Sequence, residues 1–131
     1  MSLHTEFGFK SKKKILVADD DQDMLLLLCR ILQDNGYEAL GLSDASAIMT
    51  NMYESPDMFI LDKEMGDMDG IEVLKHLKLH EKEHHVPVFM ISGSDSKVLA
   101  EKAGVDCYME KPIDARKFIY EVEKYFHSAH L

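Results

Sequence analysis

PDMFILDKEMGDMDG, residues 56–70, is the stretch of sequence that decides the fold. Residues 57–61 form a short segment that is apolar from Met58 to Leu61 and shows no period-two alternation, which is typical of a strand buried on both faces of a parallel sheet. Asp62 follows this run directly, and a carboxylate in that place costs free energy unless it is paired. After a polar loop, Asp69 is placed to cap a helix. The stretch therefore predicts a buried strand, a carboxylate at its end that needs a partner, a polar loop, and a helix.

The same alternation of strand and helix extends over the rest of the chain. The predicted strands are 14–18, 37–42, 57–61, 86–91 and 107–109. The predicted helices are 23–34, 44–54, one beginning after Asp69, 95–103 and 113–127. Five apolar strands alternating with five helices indicate an α/β fold in which both faces of a parallel sheet are covered. Because crossover connections are right-handed, the arrangement is a single doubly wound domain.

Length and composition bound the organisation of the chain. The 131 residues are 46% hydrophobic, which suits one folded domain, expected at 14–128. We expect residues 1–13 to be a flexible N-terminal arm whose first residues resemble a tag remnant. No apolar run approaches the roughly 20 residues of a membrane span. The N-terminus lacks a secretory signal, and two cysteines form no disulfide framework, so a cytoplasmic location is expected.

Net charge limits the partners of the domain. The formal charge is -9, and four lysines lie in the first 14 residues, so the remaining chain is more acidic still. An acidic surface repels phosphate backbones, and we therefore expect no direct contact with nucleic acid. We interpret the lysine run as a solvated lead-in to the first strand.

Residues suited to phosphorus chemistry follow four of the predicted strands. They are Asp19 and Asp20 after the first, Asp62 after the third, Ser92 after the fourth and Lys111 after the fifth. In doubly wound sheets, ligands bind beyond the carboxyl ends of the strands, where these side chains would converge. Neighbouring carboxylates repel and favour a cation between them, and oxygen ligands without His or Cys suit Mg²⁺. One carboxylate would then attack phosphorus, while an ammonium and a hydroxyl stabilise the transferred group.

The segments ILVADDDQD, PDMFILDKEMGDMDGIEVL, VPVFMISG and AGVDCYMEKPID together resemble the receiver domain of bacterial two-component response regulators. The resemblance covers about 14–127 without a visible gap. It implies a flavodoxin-like (βα)5 domain with strand order 2-1-3-4-5. It also implies Mg²⁺-dependent transfer of a phosphoryl group from a histidine kinase, followed by slow hydrolysis. On this interpretation the chain is a phosphorylation-dependent signalling switch and not a turnover enzyme.

The resemblance also implies roles for the acidic residues. Asp62 matches the phosphoacceptor and a metal ligand. Asp20 would ligate Mg²⁺ directly, Asp19 would hold it through water, and the backbone carbonyl of Glu64 would supply a further ligand.

The remaining site residues are assigned by the same resemblance. Lys111 and Ser92 match the groups that stabilise the phosphoryl. Ser92 and Tyr108 match the hydroxyl and aromatic of the conformational switch. Pro112 would follow a cis peptide bond in the turn that places the lysine.

Three positions depart from the family pattern. Gly66 stands where a proline is usual, which loosens the loop and weakens its hold on the metal site. Gly93 leaves more room above the phosphoryl than the usual small residue. Glu64 puts an acidic side chain beside the path of attack, and we expect its repulsion to slow phosphoryl acceptance or hydrolysis.

Other interpretations of these residues stay open at this stage. The acidic run 19–21 could be a solvated helix cap, a role for which Asp21 and Asp23 are the better candidates, and Tyr108 could be an ordinary strand aromatic. A small Mg²⁺-dependent phosphatase is a second function, although DKEMG lacks the D-x-D pattern of that class. A third is a degenerate receiver that only docks to partners. His76, His80 and His84 share one helical stripe, which we expect to be a solvated face.

The expected partners follow from the resemblance. They are a sensor histidine kinase or phosphotransfer protein and an unidentified downstream effector, with no membrane. The domain would be a monomer or a weak phosphorylation-dependent dimer. No output domain is visible after the closing helix, so we expect a stand-alone receiver or part of a longer regulator.

Overall fold

The computed structural model describes residues 11–81 and 85–128. Most of the predicted arm and His84 therefore lie outside the described residues. The strands of the main sheet are β1 (Lys14–Ala18), β2 (Glu38–Leu42), β3 (Met58–Asp62), β4 (Val88–Ser92) and β5 (Cys107–Glu110). The helices are α1 (Gln22–Asp34), α2 (Ser46–Met49), α3 (Gly70–His80), α4 (Lys97–Lys102) and α5 (Ala115–Ser128).

The five strands form one parallel sheet in the order β2-β1-β3-β4-β5, which confirms the predicted doubly wound fold. The register aligns Ala18 with Leu61, so Asp19 and Asp62 leave neighbouring strands at the same edge. Asp62 in turn pairs with Ile91, one residue before Ser92. Sheet register therefore brings the predicted site residues of three strands to one end of the fold.

Side-chain alternation in the strands builds a separate core on each face of the sheet. Every residue of β3 and β4 is buried, which explains why both strands appear in the sequence as apolar runs without alternation. Leu16 joins the core beneath α2, α3 and α4, whereas its neighbours Ile15 and Val17 join the core beneath α1 and α5. The sheet is thereby fixed between two helical layers.

Helix α2 is much shorter than the predicted 44–54. It ends at Met49, and Asn51 shortly after it adopts a left-handed φ of 59°, through which a right-handed helix cannot continue. At the other end, the helix begins at Ser46, and Asp44 accepts from the backbone N–H of Ser46 at 2.9 Å. The prediction from sequence therefore overstated the length of this helix at both ends.

The loop after β3 contains structure that the sequence did not indicate. Glu64–Met65 pairs antiparallel with Met68–Asp69 to form a small ribbon. Gly66, with a φ of 61°, occupies the first position of its two-residue turn, where a left-handed conformation favours glycine. Proline, whose φ is fixed near −65°, could not take this place.

None of the helices in the described part of the chain is long and apolar enough to cross a bilayer.

Candidate functional site

Three carboxylates meet at the carboxyl edge of the sheet. One oxygen each from Asp19, Asp20 and Asp62 lies within 4.8 Å of the other two. Asp19 and Asp62 are almost fully buried, whereas Asp20 faces solvent. The third aspartate of the run 19–21 has a different role, because Asp21 caps α1 by accepting from the N–H groups of Asp23 and Met24. Asp21 therefore has the capping role, whereas Asp19 and Asp20 belong to the carboxylate cluster.

Asp19 is the least satisfied polar group of the cluster. Its Oδ1 accepts from the backbone N–H of Asp21 at 2.9 Å, but its Oδ2 is buried without a hydrogen-bond partner among the described residues. Burial raises the pKa of Asp19 to about 6, and the charge of Asp62 adds to the rise against the opposing effect of Lys111. An unpaired buried carboxylate oxygen beside two further carboxylates fits a hard cation with oxygen ligands.

Lys111 supplies the positive charge on the other side of Asp62. Its Nζ lies 3.2 Å from Asp62 Oδ1. The backbone N–H of Lys111 donates to the carbonyl of Ser92, which ties β5 to β4 beside the site. Burial alone would lower the pKa of Lys111, but the hydrogen bond and charge of Asp62 outweigh it, so the pKa is raised. The Lys111–Pro112 bond is cis, as the resemblance implied.

Glu64 and the two glycines line the mouth of the site. The backbone N–H of Glu64 donates to Asp62 Oδ1 at 3.4 Å, and its exposed side chain helps to raise the pKa of Lys111. A Cβ added at Gly93 would lie 4.0 Å from Glu64 Oε1 and 3.7 Å from Lys111 Cδ. Gly66 lies beside Asp20, whose Oδ2 would be 3.5 Å from a Cβ at that position. All three departures from the family pattern are thus adjacent to the acidic cluster or to Lys111.

Ser92 and Tyr108 both hydrogen-bond to the loop that follows β4. Ser92 is fully buried, and its hydroxyl donates to the carbonyl of Ser94 at 3.0 Å. The phenol of Tyr108 donates to the same carbonyl at 2.7 Å and accepts from the backbone N–H of Ser96 at 3.0 Å. Ser92 lies at the end of β4, as the sequence predicted, and its hydroxyl points toward Ser94.

Gly70 is a structural requirement of the site that the sequence interpretation missed. A Cβ at this position would lie 2.4 Å from the carbonyl oxygen of Asp62 and 2.7 Å from Lys63 Cα. The backbone N–H of Gly70 donates to the carbonyl of Lys63 at 2.7 Å. The start of α3 therefore packs directly against the backbone of Asp62, and only glycine allows that approach. The sequence signal was the Asp69-Gly70 pair at the helix start.

The other chemically notable residues do not join a site of this kind. In residues 11–81 and 85–128, the three carboxylates are the only cluster of three or more acidic, His or Cys side chains close enough to share a metal ion. His76 contacts Asn51 Oδ1 at 2.8 Å and its ring stacks on that of His80. Burial raises the pKa of Cys29 and raises that of Cys107 to about 11, which keeps both thiols protonated.

Comparisons with known proteins agree with this geometry. The family profile described as the response regulator receiver domain matches residues 15–123. The alkaline phosphatase synthesis transcriptional regulatory protein PhoP of Bacillus subtilis is 37% identical over 109 residues, covering 80% of this chain and 45% of PhoP. The transcriptional regulatory protein CpxR of Klebsiella pneumoniae is 30% identical over 120 residues, covering 89% of this chain and 50% of CpxR. The chain therefore spans about half the length of these relatives.

Solved structures show the same fold. A CheY-like receiver domain protein from Methanospirillum hungatei JF-1 has a TM-score of 0.78 at 27% identity, covering 90% of this chain and 96% of its own. The receiver domain of Francisella response regulator 1452 has a TM-score of 0.79 at 27% identity, covering 90% of this chain and 99% of its own. The shared sheet order, the acidic edge and the match over residues 15–123 lead to one conclusion: this chain belongs to the response regulator receiver domain family.

Proposed function

We propose that Asp62 is the phosphoacceptor of this receiver domain and that its phosphorylation depends on Mg²⁺. The observation that carries the proposal is the environment of one carboxylate. Asp62 is 3% exposed, lies 3.2 Å from the Lys111 ammonium, and shares a 4.8 Å cluster with Asp19 and Asp20. A buried nucleophile between an acidic cluster and a single ammonium suits attack on a phosphoryl group.

The proposed reaction balances at each step. A carboxylate oxygen of Asp62 attacks the phosphorus of a phosphohistidine on the partner kinase or phosphotransfer protein. The new O–P bond forms as the N–P bond breaks, and the released imidazole takes up a proton. In the slow hydrolysis that ends the phosphorylated state, water attacks the same phosphorus. Inorganic phosphate leaves and the carboxylate of Asp62 is restored.

Asp19, Asp20 and Asp62 would hold the Mg²⁺ ion, together with the backbone carbonyl of Glu64. The unpaired Oδ2 of Asp19 and the all-oxygen donor set support this assignment. When bound, the ion neutralises the clustered carboxylates and the phosphoryl oxygens. Asp20 faces solvent and would contact the ion directly, whereas buried Asp19 would contribute through water.

Lys111 and Ser92 would stabilise the phosphoryl after transfer. The ammonium, already beside Asp62 Oδ1, exchanges part of that contact for a phosphoryl oxygen. Ser92 offers a hydroxyl at the end of β4 and would donate to a second phosphoryl oxygen. Tyr108 shares the acceptor carbonyl of Ser94 and would respond to that change. Phosphorylation thereby biases a conformational equilibrium of the β4–α4 loop.

The proposed partners follow from this chemistry. The phosphodonor is a histidine kinase or a phosphotransfer protein, and the product state acts on a downstream effector. The two relatives named above are transcriptional regulatory proteins of about twice the matched length, which supports an output carried by a further domain. Cytoplasmic location and the monomeric or weakly dimeric state stay predictions.

The test is phosphoryl uptake from a small donor. We expect the chain to gain one phosphoryl group on incubation with acetyl phosphate and Mg²⁺, measured as intact mass. The gain should vanish with EDTA and in Asp62→Asn, and it should persist in Asp67→Asn, which alters an exposed carboxylate of the same loop. Sustained hydrolysis of p-nitrophenyl phosphate without a stable adduct would favour a phosphatase and overturn the proposal.

A further inference from the structure

In the loop after β4, all hydrogen bonds of the Ser92 hydroxyl are made with a single residue, Ser94. Ser92 Oγ donates to the Ser94 carbonyl at 3.0 Å and accepts from the Ser94 backbone N–H at 3.1 Å. The hydroxyl of Ser94 lies 3.1 Å away as the third partner. A serine hydroxyl has one proton and two lone pairs. Ser94 therefore fills every hydrogen-bonding position of Ser92.

The set continues from Ser94 to the start of α4. Ser94 Oγ lies 3.0 Å from Ser96 Oγ. Ser96 is 5% exposed and occupies the N-cap position of α4, but its side chain makes no capping bond. Its hydroxyl is free to donate to Ser94, which can then donate to Ser92. We call the hydroxyls of Ser92, Ser94 and Ser96 the serine ladder.

The serine ladder and Tyr108 share one hydrogen-bond acceptor, the backbone carbonyl of Ser94. The Ser94 carbonyl receives the proton of Ser92 and that of Tyr108. Hydrogen bonds arranged in sequence polarise and strengthen one another. Donation from Ser94 Oγ to Ser92 Oγ therefore strengthens the bond by which Ser92 is held to the loop.

We propose that Ser94 is a positioning residue. Its hydroxyl stabilises the hydrogen bond from Ser92 Oγ to the Ser94 carbonyl, and a phosphoryl group must compete with that carbonyl for the Ser92 proton. The inference rests on the proposed function, because it concerns the hydroxyl that would bind the phosphoryl on Asp62. Ser92 has one proton, so it cannot donate to a phosphoryl oxygen without leaving the Ser94 carbonyl. The serine ladder thus opposes switching, and its loss makes the switched state easier to reach.

Whether removal of the Ser94 hydroxyl strengthens or weakens phosphoryl binding distinguishes this proposal from a purely structural role. A residue needed only to shape the loop would weaken phosphoryl binding when removed, whereas loss of the Ser94 hydroxyl should strengthen it. The test is the affinity for beryllofluoride, a phosphoryl mimic, in the presence of Mg²⁺, followed by amide chemical shifts. We expect Ser94→Ala to bind about 2- to 10-fold more tightly than wild type, the range of one neutral hydrogen bond.

Three further variants sharpen the measurement. Ser94→Thr keeps the hydroxyl and should retain wild-type affinity. Ser96→Ala removes the outer member of the ladder and should tighten binding by less than Ser94→Ala. Ser46→Ala removes a serine hydroxyl from α2, outside the ladder, and should leave the affinity unchanged.

The outcomes distinguish this inference from the proposed function. Phosphoryl uptake by wild type with unchanged or weaker beryllofluoride binding in both Ser94→Ala and Ser96→Ala overturns the ladder alone. Failure of wild type to take up phosphoryl or to bind beryllofluoride overturns the proposed function and the ladder with it. Tighter binding in Ser94→Ala, restored to wild type in Ser94→Thr, supports both.

Discussion

The charge of Glu64 bears on Asp62, the proposed phosphoacceptor, because Glu64 lies beside Lys111. The side chain is exposed, and its charge contributes to the raised pKa of the Lys111 ammonium. A dianionic donor approaching Asp62 meets this additional negative charge. The effect is electrostatic, so salt should screen it.

We therefore expect Glu64→Gln to accept phosphoryl from acetyl phosphate about two- to fivefold faster at low salt. The difference should shrink as salt is added. Stopped-flow or quench-flow measurement of adduct formation gives the rate. Glu101→Gln on the exposed face of α4 makes the same charge change away from the site and serves as control. Equal rates in Glu64→Gln and Glu101→Gln would contradict the repulsion.

Two glycines near the site should lose very different amounts of stability when replaced by alanine. In Gly70→Ala the new Cβ would overlap the carbonyl of Asp62, and we expect a loss of about 2–3 kcal/mol in the free energy of unfolding. In Gly93→Ala the nearest atoms lie at 3.7 Å or beyond, so the loss should stay within about 0.5 kcal/mol. Urea denaturation measures both. A loss in Gly70→Ala as small as the one expected for Gly93→Ala would show that the backbone of Asp62 tolerates a side chain at position 70.

At the scale of elements, a buried carboxylate joins α3 to the segment before β3. Glu81, just after α3, is 5% exposed and accepts from the phenol of Tyr53 at 2.6 Å and from the hydroxyl of Ser55 at 2.9 Å. Burial and the bond to Glu81 raise the pKa of Tyr53, so the phenol remains a donor. These bonds fix the irregular chain that follows the short helix α2.

We expect Tyr53→Phe to lower the free energy of unfolding by about 1–3 kcal/mol, since it leaves one oxygen of Glu81 buried without its donor. Tyr120→Phe, at a position 61% exposed on α5, should change stability by less than about 0.5 kcal/mol. Chemical denaturation of both variants provides the comparison. A negligible loss in Tyr53→Phe would mean that water replaces the phenol.

The sequence predicted those elements of the fold whose local hydrophobic pattern reflects their burial in the tertiary structure. The buried strands β1, β3 and β4 are apolar runs because both faces of the sheet are covered, and this placed Asp19 and Asp62 at one edge. The length of α2 and the ribbon around Gly66 were not predicted, because they depend on turns and pairings that hydrophobic periodicity does not encode. The bonds of Ser94 likewise depend on loop geometry that single residues do not reveal.

At the scale of the whole molecule, Asp19 links the fold to the proposed cation site. The sheet buries this carboxyl, raises its pKa to about 6 and leaves one oxygen unpaired. A proton and the proposed cation would therefore compete for this carboxylate. Above this pKa the carboxylate is ionised and available, whereas below it the proton must be displaced.

We accordingly expect the apparent affinity for Mg²⁺ to fall about tenfold between pH 7 and pH 5, as one proton is added per chain. Isothermal titration calorimetry at the two pH values measures the change. Asp19→Asn cannot titrate at this position and should bind Mg²⁺ more weakly with a flatter pH profile. An equally steep profile in that variant would assign the competing proton to another group.

The most direct test of the central claim is to identify which carboxylate carries the phosphoryl group. After incubation with acetyl phosphate and Mg²⁺, borohydride reduces an aspartyl phosphate to homoserine, and peptide mass spectrometry locates the altered residue. The account predicts reduction at Asp62 alone, dependent on Mg²⁺ and strongly diminished in Lys111→Ala. Reduction at Asp19 or Asp20, or none at any aspartate while the fold is intact, would contradict it.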